Sequence, residues 1–114
     1  MPVPVLYEVN LAVDREIADA YAAWLGPHIQ GVLAVDGFTG AEWWEVEAGG
    51  AAPEASGAGT SGERVRWCVQ YRLQGRAALQ AYSDHHAARL RGDGLARFAG
   101  RFEATRRVLA ERGA

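Results

Sequence analysis

The sequence predicts a single α+β domain, a four-stranded antiparallel sheet with two helices on one face. Three observations carry that prediction. Segments 3–13 and 63–73 alternate apolar and polar residues with the period of a half-buried strand. Two other segments place apolar residues at helical spacing. The chain has 114 residues, 49% of them hydrophobic, enough for one core, and no repeat or internal boundary divides it.

In the first strand, Val3, Val5, Tyr7, Val9, Leu11 and Val13 share one side, and Glu8 and Asn10 share the other. Asp14 stands where a helix N-cap belongs, with Glu16 in the first turn. Ile17, Tyr21, Trp24, Leu25, Ile29 and Val32 then follow a helical stripe. Gly26-Pro27 interrupts it, and a bend is expected there because proline cannot donate its backbone hydrogen bond. Asp36-Gly37 closes the segment.

Residues 38–47 read as a second strand rich in aromatics, with Trp43 and Trp44 side by side, so alternation does not say which faces the core. Residues 48–62 are a flexible Gly/Ala-rich loop. The loop lacks the Lys-Ser/Thr ending and following helix of a phosphate-binding loop. In the third strand Val65, Trp67, Val69, Tyr71 and Leu73 face one way, and Arg64, Arg66, Cys68, Gln70 and Arg72 the other. After Gly75, Leu79, Tyr82, His86 and Leu90 form a helical stripe that Gly92-Asp93-Gly94 is expected to end. The last segment is ambiguous. Phe98, Phe102, Thr105 and Leu109 fit a helix, whereas Phe102, Ala104, Arg106 and Val108 fit a strand with one polar interruption. Residue propensities favour helix. The order of the other elements favours a strand at 100–110, because otherwise the sheet lacks its last member.

The resulting β-α-β-β-α-β order is the ferredoxin-like arrangement. Helices cover its apolar face. The polar face, with Glu8, Asn10, Arg66, Cys68, Gln70 and Arg72, needs a partner chain, a ligand or nucleic acid to cover it. RNA-recognition domains of this topology stack bases on aromatics of the open face. Here Trp67 and Tyr71 fall on the core side, so nucleic acid is not expected.

The net charge of −2 conceals a split: residues 1–63 hold ten acidic residues against one arginine, and residues 64–114 hold eleven arginines against four acidic residues. Two accounts fit: a basic face for an anionic partner, or two halves that pair with each other. The single cysteine, Cys68, permits no internal disulfide, and neither a signal peptide nor a membrane span is recognisable, so a cytoplasmic location is expected.

The chain resembles the domain-of-unknown-function family 4286. The resemblance lies in Val69-Gln70-Tyr71, the run 82–98 with its Asp84-His85-His86 and Gly92-Asp93-Gly94, and the run 101–109. In the first half it lies in Tyr7-Glu8-Val9, Trp24-Leu25, His28-Ile29, Val32-Leu33 and Gly37-Phe38. Gly26-Pro27 and the loop at 48–62 depart from the pattern. The resemblance implies a dimeric α+β barrel, in which two such sheets pack open face to open face, and a final strand. It implies no activity. The wider superfamily holds cofactor-free monooxygenases, haem-degrading enzymes, isomerases and ligand-binding regulators, and a fold does not choose among them.

The candidate ligand-binding residues are Glu8, Asn10, Trp43, Arg66, Gln70, Arg72 and His86. The polar strand residues could line a site enclosed by a dimer, or pair across strands and subunits. Trp43, with Trp44 and Trp67, could wall a pocket for a flat apolar ligand, or pack. His28 and His86 lie on helical stripes without a clustered second ligand, and His85 and His86 point about 100° apart, so no metal or other cofactor is expected. Cys68 has no recognisable base. The densest basic run, Arg89, Arg91, Arg97, Arg101, Arg106 and Arg107, is an anion site or an edge paired with the acidic half. The sequence therefore predicts a homodimer without assignable catalysis that holds a small molecule. One alternative is a cofactor-independent monooxygenase or isomerase acting on an aromatic or polyketide-like compound. Another is a purely structural or interaction protein. Catalysis requires an enclosed pocket with a titratable group beside an aromatic wall.

Overall fold

The computed structural model describes residues 3–47 and 64–113, and the loop expected at 48–62 lies outside the described residues. β1 (Val5–Asp14) leads through a 3-10 turn (Arg15–Ile17) into α1 (Ala18–Leu33). β2 (Phe38–Glu45) and β3 (Arg64–Leu73) follow, then α2 (Arg76–His85), α3 (Ala87–Phe98) and β4 (Phe102–Ala110). The sheet order is β2-β3-β1-β4, antiparallel throughout. This is the α+β ferredoxin-like fold, with three helices where the sequence suggested two.

The alternating rows fix the two faces. In register, Val5 meets Leu73, Tyr7 meets Tyr71, Val9 meets Val69 and Val13 meets Val65, so the β-branched and aromatic side chains form one apolar surface under the helices. Leu73, Val13, Val32 and Val69 are the largest fully buried side chains. Burying each contributes roughly 1.5–3 kcal/mol against leaving it exposed.

Several local expectations are corrected. Asp14 precedes the 3-10 turn but makes no side-chain cap; its carboxylate accepts hydrogen bonds from Arg64 Nε (3.0 Å) and Arg101 Nε (2.8 Å) instead. Two guanidinium cations pair with the carboxylate charge more strongly than backbone N–H dipoles at a cap. Gly26-Pro27 does not interrupt the helix: α1 runs through Pro27 as one element, burying Tyr21, Leu25, Ile29 and Val32. Pro27 and Ala23, whose carbonyl loses its amide partner, are both exposed, so water can take the bond. The second helix breaks at His86 (φ −131°), and Gly92-Asp93-Gly94 lies inside α3 rather than ending it. Gly94 is buried against Trp24, a contact that outweighs its poor helix propensity. Gly37, between α1 and β2, adopts φ +98° and packs against Ala78, where a side chain would collide.

Part of the charge split resolves into pairing between the halves. Arg64 and Arg101 meet Asp14, Arg101 meets Glu16 at 2.7 Å, and Arg107 meets Glu8 at 2.7 Å. The pairs at Asp14 and Glu16 are open to solvent and align edges more than they hold the fold, whereas Glu8 is buried.

Candidate functional site

The sequence-selected polar residues divide between three places. Glu8, Asn10 and Gln70 converge on the open face of the sheet. Glu8 is buried to 4% exposure, and its carboxylate accepts from Asn10 Nδ2 (2.9 Å), Gln70 Nε2 (3.0 Å) and Arg107 Nε (2.7 Å). Bonds from Asn10 and Arg107 hold the Glu8 carboxyl down at about 2. Arg66 and Arg72 lie on the same face, exposed and farther along β3 in opposite directions, outside this network among the described residues. Trp43 is elsewhere: it pairs with Val69 on the helix-facing side and stands edge-on to Trp67 at 5.3 Å. Its neighbour Trp44, opposite Cys68, takes the open face and is 57% exposed. His86 sits at the α2–α3 junction beside Arg89 (2.9 Å). Burial and the Glu8 charge push the Cys68 thiol up, which disfavours its nucleophilic thiolate.

The concave site is on the other side of the sheet. A cavity of about 380 Å³ opens between β1, β3 and β4 and the helices above them. Its floor is Tyr7, Val9, Leu11, Val69, Tyr71 and the β4 row Phe102, Ala104 and Arg106. Its roof is Tyr21, Trp24, Leu25 and His28 from α1, Tyr82 from α2, and Arg91, Gly94 and Leu95 from α3. The volume and the aromatic, mostly apolar lining match those of small-molecule sites. Tyr21 is the hub of the wall, with Phe98, Phe102 and Trp24 at ring distances of 5.0, 5.1 and 5.4 Å. Trp24 stacks on His28 at 4.4 Å and donates its indole N–H to Asp93 (2.6 Å), which also pairs with Arg97. Trp24 and His28 also line a shallower groove between α1 and α3, so their stack separates cavity from groove.

The protonation states follow from burial. Desolvation holds His28 below the ordinary histidine range, with Arg106 adding to the effect and Asp93 opposing it, so its imidazole is neutral at pH 7. Desolvation raises Tyr21 to about 12, and raises Tyr71 and Tyr82. The tyrosines therefore present hydroxyl donors. A neutral imidazole among aromatic rings can accept a proton from a bound acid. Among the described residues, no three His, Cys, Asp or Glu side chains cluster to hold a metal.

Of the cavity residues, Tyr7 and Trp24 were not singled out by sequence as a site, Arg91 and Arg106 were weighed only as part of a basic run that could bind an anion, and His28 was weighed only as a ligand or a packed residue. Two signals were present. Tyr7 stands in an otherwise aliphatic row and Tyr71 opposite it in a row shared with Trp67, and Arg106 is the polar interruption of the last strand.

The family model described as "Domain of unknown function (DUF4286)" matches residues 4–112. The chain belongs to this family. DUF4286 carries no activity in its description. No curated protein matches this DUF4286 chain in sequence. Solved structures match it in fold. One is a conserved protein of unknown function from Bacteroides thetaiotaomicron, described as a possible oxidoreductase: TM-score 0.68, 11% identity, covering 97% of this chain and 100% of that one. Another is Rv0793 from Mycobacterium tuberculosis, with TM-score 0.66, 20% identity and 97% of each chain covered. A third is SnoaB, a cofactor-independent oxygenase from Streptomyces nogalater, with TM-score 0.66 and 6% identity over 96% of this chain and 95% of that one. At these identities the likeness shows the fold of this DUF4286 member alone. Among its described residues, no helix is long and apolar enough to cross a membrane.

Proposed function

We propose that this protein is a homodimer that binds a small, flat, largely apolar molecule in the cavity between sheet and helices. The observation that carries this is the cavity itself, walled by Tyr7, Tyr21, Trp24, Tyr71 and Tyr82. These rings already brace one another at 5.4–6.0 Å, so they form a stiff aromatic wall whose remaining surface faces the cavity. The saturable probe is N-phenyl-1-naphthylamine, whose fluorescence rises in apolar surroundings. Ala104→Phe fills the floor and weakens its binding by about tenfold or more. Equal binding by both proteins overturns the assignment.

Dimerisation uses the open sheet face. Trp44 stands out from it at 57% exposure, above Cys68 and beside the buried Glu8 network. An exposed indole on a sheet face is an anchor for a second copy. Trp44→Glu shifts the molecule from dimer to monomer in light scattering coupled to size exclusion, and a wild-type monomer refutes the dimer.

One observation favours a catalytic second reading. Neutral His28 faces the cavity beside Trp24, the arrangement that cofactor-free chemistry needs: a base next to an aromatic wall. The fold is shared with the Streptomyces nogalater oxygenase. Under this reading His28 takes the acidic proton of an aromatic C–H or O–H acid, and the resulting anion, not the protein, reduces dioxygen. With an anthrone as probe, wild type consumes oxygen faster than buffer, and His28→Gln loses about 10²-fold or more of that rate. Binding without oxygen uptake leaves the protein as a binding module.

A further inference from the structure

The charge of the cavity says what kind of molecule it takes. Among the described residues, the charged ones that line it are Arg91 and Arg106, and both are cations. His28 is neutral, and among the described residues no carboxylate belongs to the wall. Elsewhere in this half of the chain Arg64, Arg97, Arg101 and Arg107 each meet a carboxylate within 3.1 Å. Among the described residues no carboxylate is paired with Arg91 or Arg106. The half-buried guanidinium of Arg91 has no counter-charge to offset its loss of water, and the exposed Arg106 stands at the rim of the same cavity.

Geometry brings the two together. Arg91 Nη2 donates to the Tyr7 hydroxyl at 2.6 Å. Arg106 is in register with Val9, the next residue on the same face of β1 after Tyr7. Cross-strand neighbours at such diagonal positions lie about 7–8 Å apart, within reach of long side chains. Both guanidinium charges act on Tyr82, drawing its hydroxyl downward against the effect of burial. Arg91 also has a buried Nε–H with no acceptor and no access to solvent. Unsatisfied buried donors are rare in folded proteins, and one beside a cavity marks a missing acceptor. Arg106 breaks the apolar alternation of β4 at the one position where it faces this end of the cavity.

We infer that the cavity selects a planar apolar molecule carrying one carboxylate, with the carboxylate held between Arg91 and Arg106 and the ring system against Tyr21 and Trp24. This rests on the cavity being the ligand site. A carboxylate suits the planar fork of arginine, which binds it in two parallel hydrogen bonds. A small shift of Arg91 on binding exposes its Nε–H to the ligand oxygen and satisfies the orphan donor.

The test compares anthracene-9-carboxylate with its neutral amide, anthracene-9-carboxamide, by calorimetric titration at pH 7 of the wild-type protein, Arg106→Gln and Arg91→Gln. Wild type binds the carboxylate at least about tenfold more tightly, as expected for a charge-assisted pair in a partly dry site. Arg106→Gln, at an exposed position that does not threaten folding, removes most of that preference by weakening the carboxylate far more than the amide. Arg91→Gln has the same effect on the preference. Rising salt narrows the preference in wild type only. Equal affinities in wild type, with both still lost in Ala104→Phe, overturn the selection and leave the cavity as the ligand site. A preference that survives in both variants also overturns the selection. Failure of both probes to bind wild type overturns the cavity and the selection together, and binding of the amide alone overturns the selection.

Discussion

Glu8→Gln destabilises the protein by about 2–3 kcal/mol at pH 7, and the deficit disappears as the pH falls toward 2. The cause is the buried carboxylate on the open face, which accepts from Asn10, Gln70 and Arg107. All three partners donate. An amide in its place turns an NH₂ group toward at least one of them, and a donor facing a donor in a buried site costs more than the lost bond alone. The folded-state value of about 2 lies below the model value of 4.5, so folding favours the ionised form. That stabilisation is complete above about 4.5 and is lost as the pH falls through about 2. The shift alone corresponds to roughly 3 kcal/mol, and the 65% exposure of the Arg107 side chain discounts it through solvent screening. Urea unfolding at fixed protein concentration between pH 7 and 2 reads both limbs, the fixed concentration mattering because a dimer's stability depends on it. A wild type whose midpoint is flat between pH 4.5 and 2, or a variant with the same acid limb, refutes the role given to Glu8.

How much of this was legible in the sequence depends on whether local pattern or tertiary register decides. The strand rows from Val5 to Val13 and from Val65 to Leu73 were legible because parity alone sets their faces. β4 was legible through the order of the other elements and the family resemblance rather than its own parity, which Arg106 breaks where it lines the cavity. The faces of Trp43 and Trp44 were not legible, because register with Val69 and Cys68 chooses between two equivalent neighbours. The polar cluster around Glu8 was partly legible: Asn10 and Gln70 share its parity, whereas Arg107 comes from a strand 99 residues away. The cavity was least legible of all. Its Arg91–Tyr7 contact joins residues 84 apart, and no spacing rule spans that separation. The end assigned to the second helix failed for the same reason, as a glycine that looks like a stop is there to admit a tryptophan from α1.

That glycine gives the second large effect. Gly92→Ala and Gly94→Ala, two positions apart on α3, change stability in opposite directions. At Gly92 an added Cβ meets nothing within 4 Å, so the variant gains the better helix propensity of alanine, about 0.5–1 kcal/mol. At Gly94 the same atom falls 2.7 Å from Trp24 Cη2, 3.0 Å from Cζ2 and 3.2 Å from Cζ3. The indole cannot simply swing away. Its N–H is bonded to Asp93 at 2.6 Å, one face stacks on His28 at 4.4 Å, and Tyr21 meets it edge-on at 5.4 Å. Relieving the collision therefore breaks the Asp93 bond or tilts the wall between cavity and groove. Overpacking of this kind costs about 1–3 kcal/mol and outweighs the propensity gain. The net expectation is a loss of about 1–2 kcal/mol for Gly94→Ala, read as a lower urea midpoint at unchanged slope. Because Trp24 also shapes the cavity, N-phenyl-1-naphthylamine binds Gly94→Ala about tenfold less tightly while Gly92→Ala binds it as wild type does. If both alanine variants are stabilised alike and bind alike, the Gly94–Trp24 contact neither limits packing nor shapes the site, and Trp24 is free to move where the geometry says it is pinned.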